Sequence, residues 1–239
     1  MTALSPRQIV IEAAPRLAEV AAEWLATSVE SDIRDRGRCT VALSGGETPQ
    51  PIYEHLARGP LALRIGWRDV EIFFSDERAV PPDDPASNYG MAAASLLGRV
   101  PIPPDRVHRL EAERADRDAA AREYEQILPG QLDVLVLGMG ADGHTASLFP
   151  GSAALDEHVR RVIPVTGPKP PIERLTITPL VIAAARRVAV LVTGAGKATM
   201  VARALQGPVR PRDLPVQLAL GGTWFLDRAA AASLRSATP

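Results

Sequence analysis

Asp142 and His144 lie in a stretch where three glycines, Gly138, Gly140 and Gly143, fall within six residues. Glycine at that density lets the backbone turn sharply and lets a ligand approach without meeting a Cβ. The stretch follows Asp133 to Leu137, a short β-branched and leucine run with the pattern of a strand covered on both faces. An imidazole on a tight polar loop at the end of a buried strand is placed to take and return a proton. The alternative is a loop histidine bonded only to backbone.

Three other stretches offer complementary chemistry. Ser44-Gly45-Gly46-Glu47-Thr48-Pro49 follows the apolar run Cys39 to Leu43 and leads into a helix expected from about Pro49 to Ala57. Thr48 suits the N-cap and Pro49 the first helical position. A strand, glycine loop and helix start aim backbone N–H groups at one point, where the helix dipole adds partial positive charge and a phosphate fits. A plain tight turn is the alternative. Glu47 would repel that phosphate, so either it points away or the loop is not a phosphate cradle. Ser75-Asp76-Glu77-Arg78 follows the run Val70 to Phe74, and Pro81 and Pro82 hold this charged loop near the sheet edge. Thr193-Gly194-Ala195-Gly196-Lys197 follows Val188 to Val192 and opens a helix from Lys197 to Leu205, setting an ammonium where it meets a phosphate. Of 27 basic residues only Lys169 and Lys197 are lysine, and both stand in glycine- or proline-marked loops. A retained lysine in an arginine-biased chain marks a place suited to a compact ammonium.

The elements that must position these loops recur as buried strand, loop, helix. Ile9 to Ile11 reads as a strand, Pro15 to Ile33 as a core-facing helix, and Tyr89 to Leu97 and Ala115 to Leu128 as further helices. Val107 to Leu110 and Val162 to Val165 read as short strands, Arg174 to Thr178 alternates polar and apolar, and Pro179 to Ala185 reads as a short helix. Leu218 to Leu220 and the residues to Asp227 close the fold ahead of an alanine-rich terminal helix. This alternation predicts an α/β fold, a three-layer αβα arrangement on a mainly parallel, doubly wound, Rossmann-like sheet, forming one domain over residues 1–239. Ligands then collect beyond the carboxyl ends of the strands, where the four loops converge.

The bulk numbers exclude several function classes. A net charge of -1 gives no field to attract nucleic acid or an anionic membrane. No stretch approaches the ~18 apolar residues of a membrane span, and the N-terminus lacks a basic head followed by an apolar core. The expectation is a cytoplasmic protein with no nucleic-acid or membrane partner. The single cysteine, Cys39, heads an apolar run and reads as a buried thiol. No Gly-x-Gly-x-x-Gly follows the first strand and the histidines and cysteine lack metal spacing, so neither cofactor nor metal is expected.

Taken together, these segments resemble the 6-phosphogluconolactonase family. Gly138-Met139-Gly140-Ala141-Asp142-Gly143-His144-Thr145-Ala146-Ser147-Leu148-Phe149-Pro150 is the most specific piece. The Ser44 to Pro49 loop, Phe73 to Pro81 with Ser87-Asn88-Tyr89, Lys169 to Thr176 and Gly194 to Lys197 follow in the family's order, covering nearly the whole chain. Glucosamine-6-phosphate deaminase shares the fold and the Asp-Gly-His core. Its pattern carries a carboxylate after the histidine and a tyrosine in the earlier loop. Here the histidine is followed by Thr-Ala-Ser-Leu-Phe-Pro, and Arg78 takes the tyrosine's place. Both favour the lactonase. Sugar-phosphate sensing domains use a similar sheet without catalysis but carry a DNA-binding segment, and the first ~35 residues hold one helix rather than a helix-turn-helix pair.

The resemblance implies a phosphorylated sugar-acid δ-lactone as a small-molecule substrate, opened to 6-phospho-D-gluconate by a monomer or weak homodimer. His144 would activate the attacking water, with Asp142 or a neighbouring polar group fixing its tautomer. Arg78 and Lys197 would hold the phosphate beside the N–H groups of Gly45, Gly46 and Thr48. Arg174 would help to close the site, and Asp76 would orient Arg78 or a sugar hydroxyl.

Overall fold

The computed structural model describes residues 8–235. Six strands form a wholly parallel sheet: β1 (Gln8–Glu12), β2 (Cys39–Leu43), β3 (Val70–Phe74), β5 (Val134–Gly138), β8 (Arg187–Val192) and β9 (Thr223–Asp227), in the order β1-β9-β8-β5-β2-β3. Every residue of β2 is buried, as are the first four of β5 and the last four of β8. That is why these strands read as unbroken apolar runs rather than alternating ones. A second, antiparallel sheet pairs β4 (Asp76–Arg78) with β7 (Glu173–Ile177), and β7 with β6 (Val162–Thr166).

The longest helix, α1 (Ala14–Arg36), starts with proline in its first turn and ends at Gly37, whose φ of 74° lets its N–H reach back to Ile33. Leu17, Ala21, Leu25 and Val29 recur every four residues and are buried, packing the helix on the sheet. Helix α2 (Pro49–Leu56) packs on α1 and on α4 (Asn88–Ser95); α3 (Gly59–Arg64) also lies against α1. Helices α5 (Arg117–Ile127), α6 (Pro179–Ala184) and α7 (Ala198–Gln206) complete the crossovers.

At the amino ends of the strands, charged groups tie α1 to the sheet. Arg36 bridges Asp32 at 2.8 Å and Asp133 at 2.7 Å, Arg187 meets both oxygens of Asp32, and Asp133 accepts from the N–H and hydroxyl of Thr40. Each buried carboxylate therefore has a cation as well as hydrogen-bond donors, the condition under which buried charge is tolerated. Cys39 is a free, buried thiol beside this cluster, and burial pushes it far above its ordinary value.

Several sequence expectations are corrected. Residues 107–110 form no strand, only a single parallel bridge from Val107 to Ile72. Within the closing stretch, residues 218–220 lie in or next to a 3₁₀ turn (Pro215–Ala219), and Thr223–Asp227 forms the strand. Pro215 at the start of that turn favours the tight helix. The alanine-rich segment after Asp227 forms turns through residue 233, and no helix follows β9 among the described residues. Alanine propensity without an apolar stripe to bury is too weak to hold a short helix. Asp76 to Arg78 is a strand of the second sheet rather than a free loop.

Candidate active site

Strand order makes the site. The connection leaving β2 goes outward to β3, whereas the one leaving β5 returns toward β8, so β2 and β5 flank a switch point with a crevice beyond their carboxyl ends. A cleft of about 320 Å³ opens there. Its walls include His144, Gly45, Gly46, Thr48, Asp76, Arg78, Arg174 and Lys197, so the structure brings together every expected site residue except Asp142, which lies behind the imidazole.

The His144 loop is built around contact with Asp142. Asp142 Oδ1 accepts the backbone N–H of His144 at 3.1 Å and lies 2.5 Å from its Nδ1. That contact holds the Asp142 carboxyl below the ordinary carboxylate range, against the cost of its partial burial. A carboxylate has no proton to give, so Nδ1 carries the hydrogen and Nε2 of the neutral ring keeps the basic lone pair. Gly140 makes this possible. A Cβ there would lie 2.1 Å from the imidazole and 2.7 Å from Asp142. Phe149 stands 4.8 Å from the imidazole, ring centre to ring centre, while the Arg174 guanidinium lies 5.6 Å from the same phenyl ring.

Two tyrosines hold the strand ends beneath the loops. Tyr53 of α2 accepts from the N–H of Ser44 at 3.1 Å and donates to its carbonyl at 3.0 Å. Tyr124 of α5 accepts from the N–H of Phe74 at 2.8 Å and lies 3.4 Å from its carbonyl. Both hydroxyls are fully buried, which pushes their ionisation up and keeps them neutral donors and acceptors. Gly45 is fixed by close approach, since a Cβ there would fall 1.7 Å from Asn88 Oδ1. Gly46 has a φ of 106°, open to glycine and strained for other residues.

Two expectations for this loop fail. Thr48 does not cap α2: its backbone is already helical and its hydroxyl lies 2.8 Å from that of Thr193. A cap would bond the N–H two or three residues on, and Pro51 has none at the third position. Prolines 49 and 51 strip two donors from the first turn of α2 and leave the Gln50 N–H between them. Glu47 does not turn away. It lines the cleft close enough to Lys197 to hold that ammonium up, partly opposing the larger effect of burial, which pushes Lys197 down.

The remaining charges form one connected set. Asp76 is buried; it accepts from Ser147 Oγ at 2.7 Å and Ser75 Oγ at 3.1 Å, and its backbone carbonyl accepts from Asn88 Nδ2 at 2.8 Å. Arg78 donates to the Ala86 carbonyl at 2.6 Å. Arg174 donates to the Pro171 carbonyl at 3.0 Å, and the Lys169 carbonyl lies 3.4 Å from its Nη2. Lys169 enters through that carbonyl alone, and its side chain is not part of the cleft wall. The β4–β7 register sets Arg78 directly opposite Arg174. Burial pushes the Arg174 guanidinium down; Asp76 opposes this and Arg78 adds repulsion. Two facing cations with one buried carboxylate leave a place for an anion. Glu77, between Asp76 and Arg78, is a structural anchor: its oxygens accept from the N–H groups of Arg78, Asn88 and Tyr89 and from Ser87 Oγ.

Asn88, Ser147 and Thr193 belong to the site but carry no local sequence signal that marks them for it. Ser147 and Asn88 act through partners 71 and 12 residues away, and Thr193 meets a hydroxyl 145 residues away. No local pattern encodes such distances.

Residues 12–225 match the family described as glucosamine-6-phosphate isomerases/6-phosphogluconolactonase. The chain belongs to that family. The 6-phosphogluconolactonase of Mycobacterium tuberculosis is 39% identical over 237 residues, covering 92% of this chain and 95% of the relative. The solved 6-phosphogluconolactonase of Trypanosoma brucei superposes with a TM-score of 0.86 at 30% identity, covering 97% of this chain and all of that one. A monomeric glucosamine-6-phosphate deaminase, 23% identical with a TM-score of 0.83 over 95% of this chain and 99% of that one, shares the fold. No helix among the described residues is long and apolar enough to cross a membrane.

Proposed function

We propose that this chain hydrolyses 6-phospho-D-glucono-1,5-lactone to 6-phospho-D-gluconate, the ring-opening step of the oxidative pentose phosphate pathway. The observation that carries the reading is His144 with Asp142 on Nδ1, at the wall of a cleft that also holds Lys197, Arg78 and Arg174. Nε2 takes a proton from water as the water oxygen bonds to the lactone carbonyl carbon. The tetrahedral intermediate collapses by breaking the bond to the ring oxygen, which receives the proton from the imidazolium. Asp142 steadies the imidazolium between these two transfers. Lys197 and Arg78 hold the phosphate, Arg174 closes the site, and Asp76 orients a sugar hydroxyl through its Ser147 and Asn88 contacts. The absence of a carboxylate in Thr145 to Pro150 supports the lactonase over the deaminase.

The test is proton release from freshly generated lactone, corrected for spontaneous opening, for wild type and His144→Ala, beside ammonia release from glucosamine 6-phosphate. Acceleration that falls roughly 10²–10⁴-fold in the variant is expected. Ammonia without lactone opening would make the chain a deaminase, and activity in neither assay would leave it a sugar-phosphate-binding protein.

A further inference from the structure

Thr48 precedes α2 and Thr193 follows β8, so their loops rise on either side of β5. Their hydroxyl oxygens lie 2.8 Å apart, both side chains are half-buried, and both line the cleft with Lys197 and Gly46. Two hydroxyls carry two protons, and their mutual bond uses one. The second proton has no acceptor among the described residues. A donor left over on the wall of a cationic cleft matches an anionic oxygen.

We infer that Thr193 is a substrate-binding residue: with Thr48 it forms a hydroxyl bridge that donates its spare proton to a phosphate oxygen of the substrate. The inference rests on the phosphorylated-lactone reading above and extends its phosphate subsite to the residue that opens the Lys197 loop. The chemistry is directional. Whichever hydroxyl donates to the other makes that other the acceptor, and the acceptor's own O–H points to the phosphate. Charge on the phosphate strengthens both bonds, since chained hydrogen bonds polarise one another. Neither threonine works alone, because removing one leaves the other free to rotate away.

The test compares Thr193→Val, Thr48→Val and the double variant, all of which keep the branched side-chain shape, with Thr193→Ser. The readouts are KM and kcat for 6-phosphoglucono-δ-lactone, the same constants for unphosphorylated glucono-δ-lactone, and the dissociation constant of inorganic phosphate by calorimetry. Loss of one hydrogen bond to a charged group predicts about a 10-fold rise in KM and in the phosphate dissociation constant for either valine variant. Little change in kcat, confinement of the loss to phosphorylated ligand, and recovery in Thr193→Ser are expected. The double variant should be no worse than the weaker single one, because the pair acts as a unit. Additive losses, equal losses on both lactones, or a phosphate affinity unmoved by Thr193→Val would each overturn the inference. Calorimetry keeps it separate from the activity itself: a wild type that binds phosphate but opens no lactone sinks the enzymatic reading and still tests the bridge.

Discussion

Replacing Asp142 by Asn separates the charge behind His144 from its geometry. The amide oxygen occupies the place of Oδ1 and still accepts from both the ring and the backbone N–H of His144, now 2.5 and 3.1 Å away. Only the negative charge goes. Opposite unit charges about 4 Å apart interact by about 1 kcal/mol in water and about 4 kcal/mol at an effective dielectric of 20. The side chains of His144 and Asp142 are 30% and 45% exposed, so solvent screens the pair and the lower end applies. A loss of about 1–2 kcal/mol of imidazolium stabilisation corresponds to roughly a 5- to 30-fold fall in kcat. KM should barely move, because the ground-state imidazole is neutral. In wild type the Asp142 carboxylate also stabilises the fold, since its folded-state value is depressed. That contribution is present above the ordinary carboxylate range and lost only as pH falls through the lowered value. The assay is the initial rate of lactone opening across pH, with Tm measured alongside. A variant as active as wild type at every pH would refute the assigned role. So would a loss as deep as that of His144→Ala, which would make Asp142 itself the base.

Three further outcomes follow from the geometry. Gly140→Ala sets a methyl 2.1 Å from the imidazole, so kcat should fall at least 10²-fold with Tm lowered by only a few degrees; an active variant would mean the ring is not where it works. Burial depresses the Lys197 ammonium below its ordinary range, so kcat/KM for the phosphorylated lactone should decline on the alkaline side before pH ~10.4. The decline should vanish in Lys197→Arg, and its persistence there would assign it elsewhere. Glu77→Gln turns an amide NH₂ toward N–H donors that now meet a carboxylate oxygen. About 3 kcal/mol of lost anchoring predicts a Tm lower by roughly 6–12 °C for a chain of this size, read by calorimetry; an unchanged Tm would show that the loop does not depend on that carboxylate.

The parts of this fold that could be read from sequence are those governed by local periodicity and backbone chemistry. Cys39–Leu43, Val70–Phe74 and the run into Gly138 are apolar because both their faces are covered, and each was legible as a buried strand. The three loops at their ends, and the Lys197 loop after Val188 to Val192, were legible because glycine and charge interrupt those runs. The reading failed where a tertiary partner overrides a local rule. Thr48 has the chemistry of a helix cap, yet Pro51 removes a donor below it and Thr193 offers a better partner across the cleft. Asp76 to Arg78 reads as a charged loop because its strand pairing comes from residues 174–176.

The outermost strand of the main sheet carries a consequence for how the chain acquires its structure. β1 is the first strand described, and its only partner in the sheet is the last, with Gln8 set against Thr223 and Glu12 against Asp227. During synthesis β1 leaves the ribosome before the other described strands and must wait for all of them to be made before it can pair. Such distant pairing closes a very large loop, which slows folding and lengthens the life of the unpaired state. Throughout that wait its backbone and the apolar side chains of Ile9 and Ile11, still 39% and 46% exposed in the finished fold, are open to foreign strands. A nascent chain stalled before β9 should therefore be the species most prone to aggregate and most dependent on chaperones, although its four functional loops have already been made.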